Sequence, residues 1–345
     1  MSISKKIRVL VVDDSLVFRE VISKGLQSDG RIQIVATASD PFIARDKIIE
    51  FEPDVMVLDV ELPRMNGIEF LKRLMPQYPI PVVVISSANK NIFEALNAGA
   101  IDFVMKPEMN NINGLEAMLN ELIIKVKIAS IAKVENLKNN CNSKIIDSNI
   151  DSTYNNKVIL IGSSTGGTQA VYEILKKFPS NMPPILIAQH MPAKFTKLYA
   201  ERLNNSSLME VREAKDGDKL YPGLVLVAPG DYHMRLKSRG NEFYVQCFKG
   251  EKVNGHCPSV DVLFDSGAKL LNKNAIGVIL TGMGYDGAKG LLNMRKNGAR
   301  TIGQDEQSCV VYGMPKVAFE IGAVEKKVSL DNIPRTIGLI LKTQI

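Results

Sequence analysis

At 345 residues the chain is long enough for two or three domains, and its 45% hydrophobic and 23% charged content is that of an ordinary globular protein. No apolar run approaches 18 residues, and the opening MSISKKIRVL lacks a signal-peptide core, so neither membrane insertion nor export is expected. The net charge of +6 is uneven: residues 1–122 hold 13 basic and 17 acidic side chains, residues 123–157 hold 6 and 3, and residues 158–345 hold 24 and 17.

That asymmetry favours an acidic partner or mutual attraction between the two ends of the chain. No basic cluster or recognised motif accompanies it, so nucleic acid is not an expected partner. Cys141, Cys247, Cys257 and Cys309 are scattered, without a C-x-x-C pair. They read as free thiols in a reducing cytoplasm.

In chain order, Ile7 to Val12 is a short apolar run broken by Arg8 and followed by Asp13-Asp14-Ser15. Apolar residues at 17, 18, 21, 22 and 26 then give a helical face. Further strands are predicted at 32–36, 55–58, 81–85 and 103–105, with helical patterns between them and Gly99 as a helix stop. Alternating strands and helices imply a doubly wound parallel sheet. Asp13, Asp14, Asp59, Ser86 and Lys106 all fall at or just after strand C-termini, the edge where open α/β sheets form sites. Converging carboxylates there repel one another unless a cation binds, and a hard ion of the Mg²⁺ type suits oxygen ligands. A lone aspartate after a strand is usually a turn or a helix cap. Five polar residues on successive strands fit that reading poorly.

Val11-Val12-Asp13-Asp14-Ser15, Val57-Leu58-Asp59-Val60-Glu61-Leu62-Pro63-Arg64-Met65-Asn66-Gly67 and Val104-Met105-Lys106-Pro107 resemble the response-regulator receiver family. The resemblance implies that Asp59 is the phosphoacceptor. It implies Mg²⁺ held by Asp13, Asp14, Asp59 and the Val60 carbonyl. Ser86 and Lys106 become the groups that meet the phosphoryl oxygens, and Phe103 the aromatic switch. It also implies a cis bond before Pro107.

The domain spans residues 1–122. Residues 123–156 read as a linker. Their first ten continue an amphipathic helix, and seven asparagines follow from Asn136 to Asn156 without a sustained period.

The second domain, residues 157–345, opens with Val158 to Ile161 as a strand, then Gly162-Ser163-Ser164-Thr165-Gly166-Gly167, then apolar residues at 170, 171, 174, 175 and 178 at helical spacing. A strand, tight turn and helix would present Ser164 at a strand end, in the G-x-S-x-G pattern of a nucleophile elbow. A Gly-rich turn with a capping hydroxyl is the competing reading. A phosphate loop fits less well, since Thr168-Gln169 replaces the required Lys-Ser/Thr.

A strand at 184–188 follows, ending in Gln189-His190-Met191-Pro192. A hairpin-like region is predicted through 224–230 and 243–248, a helix near 263–271, a strand at 275–280, a helix at 290–297 closed by Gly298, and a strand at 301–305. This is a larger, mostly parallel α/β sheet with an inserted antiparallel hairpin. Ser164, His190 and Asp286 again collect at strand ends. A serine nucleophile needs a base and an acid to orient it. Of the three histidines, His233 reads as a surface residue and His256 competes with His190. Asp261, read as a helix cap, and Asp305 compete with Asp286. The order Ser, His, Asp is not that of α/β-hydrolases.

Ile161 to Gly167, Ala188-Gln189-His190-Met191-Pro192, Pro258-Ser259-Val260-Asp261 and Leu280-Thr281-Gly282-Met283-Gly284-Tyr285-Asp286-Gly287 resemble the catalytic domain of the chemotaxis protein-glutamate methylesterase (CheB) family. Ser163 and His256-Cys257 depart from its common residues. The resemblance implies a triad of Ser164, His190 and Asp286, with an oxyanion site at the backbone of Thr165, Gly166 and Met283 and no cofactor for the ester chemistry. It further implies methyl-accepting chemotaxis receptors as substrate, the histidine kinase CheA as phosphodonor, a cytoplasmic location and a monomer. A general ester hydrolase and a non-enzymatic phospho-adaptor are the rival readings.

Overall fold

The apolar runs form the strands of two separate parallel sheets in a computed structural model that describes residues 5–63, 65–87, 91–107, 112–134 and 157–343. The chain divides into two compact units, Met1–Lys138 and Asn139–Ile345. The asparagine-rich stretch from 136 to 156, with Cys141, lies outside the described residues, as does Arg64.

In the first unit β1 (Ile7–Val12), α1 (Leu16–Gln27), β2 (Ile32–Ala38), α2 (Pro41–Phe51), β3 (Val55–Asp59), α3 (Gly67–Leu74), β4 (Val82–Ser86), α4 (Ile92–Asn97), β5 (Asp102–Met105) and α5 (Ile112–Ala129) alternate. The sheet order is β2-β1-β3-β4-β5, all parallel. β3 and β4 are buried at every residue, as a strand covered on both faces must be. Ser15, Asp40 and Asn66 cap α1, α2 and α3 by accepting from N–H groups of the first turn. Two expectations change. Val17 is exposed, and the buried face of α1 is Ile22 and Leu26. Among the described residues the one cis peptide is Cys257–Pro258, so Lys106–Pro107 is trans, the lower-energy form of an X–Pro bond.

The second unit runs β6 (Val158–Ser163), α6 (Gly167–Leu175), β7 (Ile185–Gln189), α7 (Ala193–Ser206), β8 (Glu210–Glu213), β9 (Leu224–Val227), β10 (His233–Arg239), β11 (Glu242–Phe248), α8 (Val260–Leu270), β12 (Ala275–Ile279), α9 (Ala288–Lys296), β13 (Arg300–Gln304), α10 (Met314–Glu320), β14 (Lys326–Val328) and α11 (Ile333–Thr343). Its main sheet, β14-β13-β12-β6-β7-β9-β8, is parallel, and β10 and β11 form a separate antiparallel pair. Leu224 to Val227 is therefore not part of the hairpin. It is a fully buried strand of the main sheet, which its unbroken apolar run allows. The hairpin partner of β11 is β10, whose alternating polar residues hid it. His233 opens β10 and is buried. Its Nε2 meets the Glu251 carbonyl at 2.8 Å, and its Nδ1 accepts from the Ser259 N–H at 3.2 Å.

β6 lies at the centre, with β7 on one side and β12 on the other. The winding reverses there, and the crevice outside such a reversal is where doubly wound sheets bind ligands. α8 packs Val260, Leu263 and Phe264, all fully buried, into the core beside β6. Each such side chain contributes roughly 2–3 kcal/mol of burial. The approach is close: a Cβ added to Gly162 would overlap Val260 Cγ1. Gly162→Ala should therefore destabilise the second unit by about 2 kcal/mol through overpacking, read as a lower urea midpoint. An unchanged midpoint would show that β6 and α8 are not in contact there.

Candidate active site

The serine, histidine and aspartate come from the ends of three adjacent strands. Ser164 follows β6. Its N–H donates to the Thr281 carbonyl at 3.0 Å, tying the turn to the end of β12. Its carbonyl accepts from the Gly167 N–H at 2.7 Å and from Gln189 Nε2 at 2.9 Å. His190 follows β7, and its N–H donates to the Ser163 carbonyl at 3.1 Å. Gln189 is the fastener between the two strand ends. Besides the Ser164 carbonyl it bonds the Ser163 hydroxyl at 2.6 Å and the His190 carbonyl at 3.1 Å. Its place beside His190 in the Ala188–Pro192 motif is the sequence signal for it.

His190 Nε2 lies 2.8 Å from Asp286 Oδ2. Asp286 is almost fully buried and sits against the N-terminus of α8. Oδ2 also accepts from the Val260 N–H at 2.6 Å. Oδ1 accepts from Asn254 Nδ2 at 2.8 Å, the Ser259 hydroxyl at 2.8 Å and the Asp261 N–H at 3.2 Å. Helix N-terminal N–H groups favour negative charge. Burial alone would raise this carboxyl. The bonds to His190, Asn254 and Val260 outweigh it and hold Asp286 well below the usual carboxylate range.

Asp286 is thus a fixed anion. The other nitrogen of His190, Nδ1, is buried and has no hydrogen-bond partner among the described residues. Among the described residues the Ser164 hydroxyl has no hydrogen bond to it, and a missing bond of this kind does not by itself rule a base out.

The competitors separate by geometry. Asp261 does not cap α8, whose N-cap is Ser259. Asp261 instead bonds the Gly290 N–H at 2.7 Å and Asn254 Nδ2 at 2.7 Å, joining α8 to α9. Burial, with Asp286 close by, raises its carboxyl. Asp305 bonds Ser308. His256 makes no bond to Asp286 but lies flat on His190, ring centroids 3.6 Å apart. Thr165 and Gly166 lie in the turn before α6, Gly166 as its N-cap. The N–H groups of Gly166 and Met283 donate to no protein atom among the described residues. Met283 is 44% exposed, beside the loop that carries Asp286.

In the first unit Asp13, Asp14 and Asp59 bring carboxylate oxygens within 4.8 Å of one another at the ends of β1 and β3. Lys106 Nζ lies 2.9 Å from Asp13 and 2.6 Å from Asp59. Burial, and the charge of Asp13, push the Asp59 carboxyl up despite Lys106 and the Glu61 N–H. Burial opposes the Lys106 charge, yet its two carboxylates raise it. The pocket is short of positive charge. Ser86 and Phe103 are buried on β4 and β5, and the Lys106 N–H donates to the Ser86 carbonyl at 3.0 Å. The Val60 carbonyl, expected to face the cation, accepts from the Gly67 N–H at 2.9 Å and is engaged in the β3–α3 connection.

A model of the CheB methylesterase family matches residues 159–337, and one of the response regulator receiver domain matches residues 9–120. The chain belongs to the CheB methylesterase family. A protein-glutamate methylesterase/protein-glutamine glutaminase 2 of Syntrophomonas wolfei is 57% identical over 95% of this chain and 96% of its own. A protein-glutamate methylesterase/protein-glutamine glutaminase of Syntrophotalea carbinolica is 52% identical over 99% of each. The crystal structure of the Thermotoga maritima CheB methylesterase catalytic domain aligns with a TM-score of 0.52 at 40% identity, covering 54% of this chain and 97% of that one. No helix among the described residues is long and apolar enough to cross a membrane.

The Asp286 carboxyl makes a pH prediction. A folded-state pKa below the unfolded value of about 3.9 gives stability that is present above that value and lost as pH falls beneath it. The exchange protection of the Val260 amide should therefore drop below about pH 4. In Asp286→Asn it should already be low at pH 7 and should change little on acidification.

Proposed function

We propose that the chain hydrolyses glutamate methyl esters on methyl-accepting chemotaxis receptors, and deamidates selected glutamines, under control of phosphorylation at Asp59. The observation that carries the chemistry is an imidazole held by a buried anion on Nε2, with Nδ1 unpartnered among the described residues and Ser164 on the adjoining strand end. Ser164 Oγ attacks the ester carbonyl carbon while His190 Nδ1 takes its proton. The carbonyl oxygen becomes an oxyanion, received by N–H groups at Thr165, Gly166 and Met283. The C–O bond to the methoxy group then breaks, and His190 returns the proton to release methanol. Water attacks the acyl-enzyme, giving a proton to His190. The ester bond to Ser164 breaks, Ser164 regains its proton, and the glutamate is freed. Deamidation follows the same path with ammonia leaving. Each oxyanion donor contributes roughly 3 kcal/mol. Asp286 keeps the tautomer and stabilises the imidazolium.

In the receiver, Asp13, Asp14 and Asp59 form an oxygen-donor set whose deficit of positive charge fits a divalent cation. Mg²⁺ bound there would neutralise phosphoryl oxygens. Asp59 accepts the phosphoryl group, with the histidine kinase CheA as donor, and Lys106 and Ser86 meet its oxygens. Phe103 serves as the buried aromatic that responds. The Val60 carbonyl is the least favoured ligand, since Gly67 already engages it. We further infer a cytoplasmic monomer in which residues 1–122 restrain residues 157–345 until Asp59 is phosphorylated, a reading their opposite charges support.

Methanol release from methylated receptor membranes tests the activity. Ser164→Ala should lower it by more than about 10³-fold. Loss of release in Ser164→Ala excludes the adaptor reading and unchanged signalling would favour it, while fast turnover of small soluble esters would favour the general hydrolase. Asp59→Asn, or chelation of divalent cations, should abolish stimulation by a phosphodonor. Residues 157–345 alone should outpace the unphosphorylated full chain, and equal rates would remove the restraint.

A further inference from the structure

His256 and Asn254 belong to a two-residue turn that the triad does not account for. Val253 and His256 exchange N–H···O bonds in both directions at 3.0 Å. Between them Asn254 and Gly255 have φ of +53° and +83°. That is the pattern of a type I′ turn, and Asn-Gly is the dipeptide that adopts it most readily. The turn is closed and narrow, so its two side chains have fixed directions. One reaches the triad acid: Asn254 Nδ2 bonds Asp286 Oδ1 at 2.8 Å and Asp261 Oδ2 at 2.7 Å. The other covers the triad base: the His256 ring lies on His190 with centroids 3.6 Å apart and planes within 7°.

We propose that the Val253–His256 turn is a positioning element for His190, in which a neutral His256 ring fixes the plane of the imidazole and presents a π face to the positive charge that forms on it. The proposal rests on the reading of His190 as the general base. Two neutral rings gain little from a parallel face-to-face sandwich. A cation over a π face is attracted. The stack is therefore worth most when His190 holds the serine proton, which is when catalysis needs it. Among the described residues, Asp286 and Lys252 are the charged groups that act on His256, Asp261 is joined to Asp286 through Asn254, and the Cys257 thiol adjoins His256 in the chain. Burial, with His190 and Lys252 adding to it and Asp286 opposing, brings His256 down to about 4, so it stays neutral at working pH.

The test uses the full-length chain and methylated receptor membranes. His256→Ala should lower kcat about tenfold, the scale of a desolvated cation–π contact, with KM within about twofold. His256→Phe, which restores a flat uncharged ring, should recover most of that loss. His256→Lys fills the space but sets a charge against the imidazolium, and should fall below His256→Ala. With only three histidines in the chain, the His190 ring protons can be followed directly by NMR. Their ring-current displacement should vanish in His256→Ala and persist in His256→Phe, whatever the catalytic outcome. The proposal is overturned if His256→Ala keeps its kcat, if KM rises instead, or if His256→Phe is no better than His256→Ala. If His190→Gln keeps full hydrolysis while the parent chain shows the ring-current signature, the base assignment fails and the stack stands.

Discussion

One carboxylate organises the catalytic unit. Asp286 receives five hydrogen bonds, from His190, from a turn, from a serine hydroxyl and from two N–H groups at the start of α8. Burying an anion costs several kcal/mol unless it is fully satisfied. Here the satisfaction comes from elements that must each be in place, so the helix start, the turn and β7 are brought into register by one group. The same bonds commit His190 Nε2, and Nδ1 is buried with no partner among the described residues.

The receiver pocket shows the opposite condition. Its carboxylates are hydrogen-bonded but not neutralised by the chain. Asp13 and Asp59 share one ammonium, and the Asp59 carboxyl is pushed up by burial and by its neighbour. An over-filled acid pair is a poor structural element and a good place for charge to arrive. Asp286 is a finished anion and serves geometry; Asp59 is an unfinished one and suits modification.

Much of this was legible in the chain. Runs such as Val158 to Ile161 and Val55 to Leu58 have no polar interruption, so they announce buried parallel strands, and the polar residue that ends each run marks the site edge. β10 was missed because His-Met-Arg-Leu-Lys-Ser-Arg alternates around charges, and a strand with one wet face looks like a loop when its partner is unknown. His233 was misjudged for the same reason: its neighbours are polar, while its own ring is held inside by Glu251 and Ser259. Asn254, Ser259 and Gln189 carry no chemistry of their own. Their importance lies in what they bond across 25 or more residues, and local spacing does not encode that. The Asn-Gly pair at 254–255 did carry a turn signal. Nothing in it said that the His256 ring beside the turn would stack on His190.

The placement of β6 between β7 and β12 has a consequence for how the protein is made. Serine and histidine are synthesised close together, and Asp286, beyond the end of β12, comes 96 residues after His190. A nascent chain that has folded β6 and β7 still lacks the neighbour on the other side of β6, and contacts at such separation form late. Ser164 and His190 therefore exist on the ribosome before Asp286, and the His190–Asp286 bond waits until most of the second unit has emerged.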